Sequence, residues 1–207
     1  SIFGGYPVPG TQMTTIDLYT PAYTGLVIGT VGLIGLPSTL AFYRERGILR
    51  RLRATPLGPT RILAAHVLVN FVMTLAGIGL LVATAALFLD LRMPHAPGLV
   101  FIAVTLSTLS FFAVGFALAS LLPSVRVAQA VGQALFLPMF FISGAALPLE
   151  QMPAWLQSIS DYVPLTYAVR LVQEVWIGEG WNWTAAAILL AILALATLLT
   201  ARIFRWE

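Results

Sequence analysis

The stretch PGLVFIAVTLSTLSFFAVGFALASLL, from Pro97 to Leu122, has no charged side chain and decides the class of protein. A helix needs roughly 20 apolar residues to cross the hydrocarbon core of a bilayer. Over the 207 residues, 59% are hydrophobic and only 9% are charged, whereas about 25% are charged in an ordinary soluble domain. One core of this size cannot bury so much apolar surface, which excludes a soluble domain and predicts a membrane protein.

Four further stretches share this charge-poor character. The predicted spans are residues 18–43, 62–89, 97–122, 127–147 and 183–203. Lipid admits only helices or closed barrels, because backbone polar groups must pair within the protein. The apolar residues are continuous rather than alternating, which indicates helices. The sequence therefore predicts an all-α membrane protein, with residues 1–207 forming a single transmembrane domain.

The arginines predict the orientation of these helices. All 11 basic residues are Arg, and only Arg92 and Arg170 fall on one side of the predicted membrane. The arginines of the other side are Arg44, Arg46, Arg50, Arg51, Arg53, Arg61, Arg126, Arg202 and Arg205. The positive-inside rule makes that side cytoplasmic, including the loop 44–61 and the C-terminus. Five spans then leave Ser1 outside without a signal peptide, so we expect a sixth helix before Ser1 in the native subunit.

The segment 148–182 differs from the other connections. It is interrupted by prolines and glycine and is crowded with Trp and Tyr, which favour the membrane–water interface. We expect short interfacial or re-entrant helices in the outer leaflet before the last span. The alternative is an ordinary external loop.

Several kinds of chemistry are excluded by residue type. A phosphate-binding P-loop needs Lys, and the chain has none, so it carries no ATPase motif and is not itself an enzyme. It has no Cys and only two His, and no close cluster of His and carboxylates, so we expect no metal site. The spans hold no carboxylates, which argues against proton coupling. Energy for active transport would have to come from a partner.

Two segments carry a resemblance to a known family. The first is RERGILRRLRATPL, residues 44–57, which follows one span and opens another. The second is FFISGAALPLEQMPAWLQ, residues 140–157, followed by VPLTYAVR, residues 163–170. In order and separation they resemble ABC-2-type transporter permeases, with the drug and antibiotic exporters the most similar branch. From composition alone, the first segment is equally a basic interfacial helix on anionic lipid.

The resemblance implies an assembly of six-helix subunits. Two permease subunits, identical or different, would join two cytoplasmic ATPase subunits that bind ATP and Mg²⁺, while this chain holds no cofactor. The loop 44–61 would be the helix that couples the permease to the ATPase. The coupling residues implied by the family pattern are Glu45, Gly47, Leu49, Leu52, Thr55 and Pro56. Gly47 is equally explained as a hinge or helix cap, and Glu45 as the orienting group for a basic side chain of the partner.

Within the spans, polar and small residues recur at helical spacing. The candidate substrate path consists of Gln129, Gln133, Phe136 and Phe140, whose spacing places them on one face. The alternative, which the cost of an unpartnered amide in lipid favours, is that the two amides bond neighbouring helices. Gly25, Gly29 and Gly32 share a face that favours close helix packing over a substrate path.

Together these features predict the transmembrane subunit of an ATP-driven exporter. It would move amphipathic drugs, lipids or glycan precursors out of the cytoplasm across a bacterial cell membrane. The alternative is a non-transport membrane scaffold or assembly protein. An ion channel is disfavoured, because no span offers a ring of charge or a filter-like loop.

Overall fold

The structure, a computed structural model, describes residues 14–48 and 59–203. Its regular elements in these ranges are helical and confirm the all-α fold class. The elements are α1 (Thr15–Thr30), a π-helical turn (Val31–Gly35), α2 (Leu36–Glu45), α3 (Pro59–Phe88), α4 (Pro97–Leu121), α5 (Val125–Ile142), a 3₁₀ turn (Leu149–Gln151), α6 (Ala154–Ser160), α7 (Pro164–Ile177) and α8 (Trp183–Ile203). The elements α1, π turn and α2 form one continuous span of 31 residues, Thr15–Glu45.

Five helices are long and apolar enough to cross a membrane, as the sequence predicts. The helix predicted over 127–147 ends earlier, at Ile142. The hydroxyl of Ser143 donates to the carbonyl of Phe140 at 3.1 Å, and Gly144 adopts a left-handed φ of +87°. This conformation ends a helix readily because glycine has no Cβ. The segment 148–182 contains the 3₁₀ turn, α6 and α7, so short helices precede the last span as expected.

A buried carboxylate fixes the start of the first span. One oxygen of Asp17 accepts from the backbone N–H and the hydroxyl of Thr14, at 3.0 and 2.9 Å. The other accepts from the backbone N–H of Arg92 at 3.0 Å. A buried charge requires such partners to offset its desolvation. Asp17 therefore ties the beginning of α1 to the loop between α3 and α4.

The π turn is the point where three helices approach most closely. A Cβ built on Gly32 would lie 2.8 Å from the Cβ of Phe111 in α4. A Cβ on Gly115 of α4 would collide with the carbonyl oxygen of Gly32, and one on Gly132 of α5 with that of Leu33. Only glycine allows backbones to pack this closely. The packing interpretation of the glycine face is therefore supported at Gly32.

The same face is closely packed along the N-terminal half of the span. A Cβ on Gly25 would lie 2.6 Å from the side chain of Val169 in α7, and one on Gly29 would lie 2.6 Å from the ring of Phe136 in α5. Gly25, Gly29 and Gly32 thus all face neighbouring helices of the same chain.

The core is centred on α4. Phe111 and Phe112 are almost completely buried, and α4 packs most extensively against α8. The hydroxyl of Ser110 donates to the carbonyl of Leu189 in α8 at 2.9 Å, which adds a polar link between the two helices. The apolar face of α7 covers α1, so the short helix is part of the folded core and not a loose loop.

Candidate functional site

The predicted coupling loop begins where α2 ends. Gly47 has a φ of +64°, and its N–H donates to the carbonyl of Arg44 at 3.0 Å. A Cβ at this position would meet no atom of the described residues within 4 Å, so the backbone conformation alone calls for glycine. The structure supports the helix-cap interpretation of Gly47. The other expected coupling residues Leu49, Leu52, Thr55 and Pro56 lie outside the described residues.

The last two residues of α2 form hydrogen bonds with the turn between α4 and α5. The guanidinium of Arg44 donates to the carbonyls of Leu122 and Ala119, at 3.0 and 2.9 Å, at the C-terminal end of α4. The carboxylate of Glu45 accepts from the backbone N–H of Val125, the first residue of α5, at 2.9 Å. Each charge has the sign that the adjacent helix end favours, since a helix is negative at its C-terminus and positive at its N-terminus.

We name this set of three contacts the Arg44–Glu45 clasp. Its partners lie 75 to 80 residues away in the sequence, so no local pattern indicates it. Glu45 is exposed, and its interaction with a basic group of a partner stays a prediction. What the structure adds is an intrachain role for the same carboxylate, with a mechanical link from the predicted coupling loop to α4 and α5.

A second cluster joins α2 to α3 near the same end. The rings of Tyr43 and His66 meet edge to face with centroids 5.6 Å apart. Asn70 lies 3.2 Å from the Nε2 atom of His66 and donates to its backbone carbonyl at 2.8 Å. His66 and Asn70 therefore serve local packing between the two helices.

The four candidate path residues differ in burial and do not line one common surface. Gln129 and Gln133 are exposed, and neither amide hydrogen-bonds to any described residue. Phe136 is buried against Gly29, inside the chain. Phe140 stacks on Phe136 with centroids 5.7 Å apart and is half-buried. The two glutamines thus face outward, while the two phenylalanines support α5 from within.

The exposed side of α5 carries both glutamine side chains, and this placement bears on what covers the helix. The buried residues on α5 are Ala128, Gly132 and Phe136, and the two exposed amides lie on a neighbouring face of the helix, roughly 80° away. An amide that faces lipid without a partner is costly. This face therefore needs a covering surface that the described chain does not supply.

Comparison with known proteins identifies the family. The model of the family described as "ABC-2 type transporter" matches residues 1–177. The chain is 30% identical over 169 residues to the transport permease ycf38 of Cyanophora paradoxa, covering 79% of this chain and 58% of that protein. It is 32% identical over 157 residues to ycf38 of Porphyra purpurea, covering 74% and 53%.

A bacterial relative is similar over a longer stretch. The inner membrane transport permease YhhJ of Escherichia coli K12 is 25% identical over 193 residues, covering 88% of this chain and 51% of that protein. The chain thus spans little more than half of the length of these curated relatives. The family match covers most of the chain, and the matched segment includes both motifs and four of the five long helices. The chain therefore belongs to the ABC-2 type transporter family, as a multi-pass membrane protein.

Proposed function

We propose that this chain is the permease subunit of an ATP-driven exporter that carries amphipathic drugs, lipids or glycan precursors out of the cytoplasm. Support comes from the family match and from relatives named as transport permeases. The observation that carries the mechanism is the Arg44–Glu45 clasp, which binds the start of the predicted coupling loop to the α4–α5 turn. The proposed assembly lies in a bacterial cell membrane and contains cytoplasmic ATPase subunits that bind ATP and Mg²⁺.

The clasp offers a direct route for mechanical coupling. A displacement of loop 44–61 by the ATPase moves the end of α2, and the charged contacts transmit that movement to α4 and α5. Hydrogen bonds to charged groups are about twice as strong as those between neutral groups. The clasp therefore moves α5 with the loop, and α5 carries Gln129 and Gln133 on its outer face.

A second permease subunit is the proposed cover for that outer face. It would enclose the two amides in a shared interface away from lipid, where they can contact a substrate with both polar and apolar parts. Phe136 would not contact the substrate directly, since it is buried against Gly29. It would instead hold α5 at a fixed distance from α1.

Substitutions of Glu45 test the coupling role in the complex with the ATPase. We expect Glu45→Ala to lower transport and substrate-stimulated ATP hydrolysis together, while the ATPase still co-purifies. Glu45→Gln keeps an oxygen that accepts from Val125 and should retain most of the activity. Arg126→Ala is the control, because this exposed charge lies beside Val125 but outside the clasp. Normal transport in Glu45→Ala with the ATPase bound would overturn the assignment.

The scaffold alternative predicts a different result for the purified protein. A scaffold or assembly protein would not co-purify with an ATPase, and ATP would drive no accumulation of an amphipathic dye in inverted vesicles. The exporter model predicts that the ATPase co-purifies with the chain and that ATP drives dye accumulation. The relevant measurement is ATP-dependent dye uptake in inverted vesicles that contain the chain and its ATPase.

The proposed orientation is tested by chemical labelling, since the chain has no cysteine of its own. We expect Thr55→Cys to react only with a reagent supplied from the cytoplasm. Ser158→Cys, an exposed position on α6, should react only from outside. Labelling of both positions from one side would contradict the orientation.

A further inference from the structure

A cavity opens at the end of the molecule opposite the clasp. It has a volume of about 750 Å³ and lies between the start of α1, the connection that follows α5, and α7. Small-molecule sites typically measure about 300–1,000 Å³. All three walls come from one chain, so this cleft is distinct from the outer face of α5 that carries Gln129 and Gln133.

The floor of the cleft is apolar and firmly packed. Ala22 of α1 and Val169 of α7 are almost completely buried and both line the cavity. Leu18 and Tyr19 extend this surface along α1, and the ring of Tyr19 stacks on that of Tyr23 with centroids 5.9 Å apart. The floor can therefore receive an acyl chain or the apolar face of a ring.

The rim of the cleft is rich in amides. Gln151 of the 3₁₀ turn, Gln157 of α6 and Gln173 of α7 all line the cavity. The amide nitrogen of Gln157 donates to the carbonyl of Met152 at 2.9 Å, and that of Gln173 donates to the carbonyl of Leu18 at 3.4 Å. These bonds orient both side chains. An amide supplies a donor and an acceptor together, which matches the hydrogen-bonding capacity of a hydroxyl group.

Two of the three charged side chains at the rim already have partners. Arg170 forms an ion pair with Asp161 at 3.0 Å, and Glu174 accepts from the side-chain amide of Asn182 at 2.9 Å. Glu179 adds a further negative charge to the lining. A phosphate or carboxylate ligand would meet one paired cation and two carboxylates, so the electrostatics of the cleft disfavour an anion.

We propose that this cleft binds a neutral, hydroxyl-rich headgroup attached to an apolar tail, as in a nonionic glycolipid. The amides would bind the hydroxyl groups, and the floor of Ala22, Leu18 and Val169 would receive the first part of the tail. The inference rests on the proposed function for its place on the external side, and it deepens that function by naming a class of amphipath. Each permease subunit would carry its own site, separate from the path between subunits.

Equilibrium binding to the permease–ATPase complex without ATP tests the proposal. The probe is a fluorescent alkyl maltoside, used below its micelle concentration and measured by anisotropy in nanodiscs. Free maltose and an alkyl phosphate with the same tail are the competitors. We expect the unlabelled alkyl maltoside to displace the probe far better than either one. Equal displacement by the alkyl phosphate would overturn the headgroup assignment, and equal displacement by free maltose would overturn the role of the floor.

Two kinds of variant locate the binding. Gln151→Leu combined with Gln157→Leu removes rim amides, and we expect affinity to fall about tenfold, as the loss of hydrogen bonds to neutral groups typically gives. Leu18→Trp fills the floor and should also weaken binding. Thr184→Leu is the control, an exposed polar side chain at the start of α8 outside the cavity lining. Unchanged affinity in both cleft variants, in protein that remains monodisperse, would overturn the proposal.

This outcome can be separated from a failure of the proposed function. Intact ATP-driven transport with no maltoside binding would refute the cleft alone. Maltoside binding that the cleft variants abolish, in a complex that transports nothing, would refute the exporter and leave the cleft in place.

Discussion

α4 and α5 are consecutive membrane helices joined by a short turn, yet their surroundings differ sharply. In the most apolar window of each helix, 56% of α4 is buried inside the chain and only 17% of α5. α4 is the central support of the subunit, packed against α8 and α2. α5 packs along one narrow face and leaves Gln129 and Gln133 outside. The comparison teaches that a helix predicted from hydropathy can be buried within its own chain or largely exposed, and that polar residues such as Gln129 and Gln133 indicate the exposed face.

The largest expected effect is at the closest contact of α4. Gly115→Val places side-chain atoms against the carbonyl oxygen of Gly32, which has no room to move within the packed π turn. Overpacking typically costs about 1–3 kcal/mol and sometimes more, so we expect little folded protein. Gly98→Val is the matched control in the same helix, since a Cβ there would meet nothing within 4 Å in the part of the chain that the structure describes.

The yield of monodisperse protein in detergent and its thermal unfolding measure this effect. A Gly115→Val protein as stable as Gly98→Val would show that α4 is not the rigid centre of the subunit. In that case α4 would tolerate added volume and would not differ from α5 in the way that their burial indicates.

A smaller loss is expected where α2 meets the end of α4. Arg44→Ala removes two hydrogen bonds from a charged donor to the carbonyls of Leu122 and Ala119. Bonds of this type contribute about 1.5–3 kcal/mol each when buried, and less where the group is partly exposed, as here. Arg46→Ala is the control, because Arg46 lies over the exposed ring of Phe42 and outside the clasp. Chemical unfolding should separate the two variants, and equal stability would contradict the clasp.

On α5 the expected effect is functional. Gln133→Ala should leave the stability of the single chain unchanged, because its amide is exposed and bonds to no described residue. If it contacts substrate, the ratio of export rates among several substrates should change while basal ATP hydrolysis stays intact. Thr197→Ala, another exposed polar residue in a span, is the control. A uniform decline across a substrate panel at equal expression would place Gln133 in a packing interface instead.

The smallest effect concerns the polar link between α4 and α8. Ser110→Ala removes a bond to the carbonyl of Leu189, and hydrogen bonds between membrane helices contribute about 0.6 kcal/mol on average. Among the described residues, the hydroxyl of Ser120 bonds only to carbonyls of α4 itself, so Ser120→Ala is the matched control. We expect a small but measurable difference in unfolding free energy. Equal values would show that apolar packing alone holds α4 to α8.

Hydropathy predicted the ends of the long helices well where charged or turn-forming residues lie on either side of the apolar run. The span predicted over 183–203 coincides with α8, Trp183–Ile203. The end of α5 was placed too late because Ala145, Ala146 and Leu147 continue the apolar run beyond the left-handed Gly144. A hydrophobicity scale carries no information on backbone conformation, so it could not predict the turn at Gly144.

The candidate site could be predicted less well from the sequence than the helices, for two physical reasons. Helical spacing grouped Phe136 with Gln133, but the position of Gly29 decides which of them faces inward, and that depends on how α1 and α5 pack. The clasp joins residues far apart in the chain, and nothing near Arg44 or Glu45 indicates their partners. The family pattern selected Glu45 without indicating its contact with Val125.

The π turn at Val31–Gly35 also sets the angular phase between the two halves of the first span. A π turn accommodates one residue more than a regular helix, and each residue of an α-helix turns the chain by about 100°. If the same residues were wound as a regular α-helix, the C-terminal half of the span would rotate by roughly that angle against its N-terminal half. Gly25 and Gly29 could keep their neighbours, but Arg44 and Glu45 would then point away from the α4–α5 turn. The additional residue in the wide turn thus aligns the N-terminal half of the span for close packing and its C-terminal end for the contacts of Arg44 and Glu45.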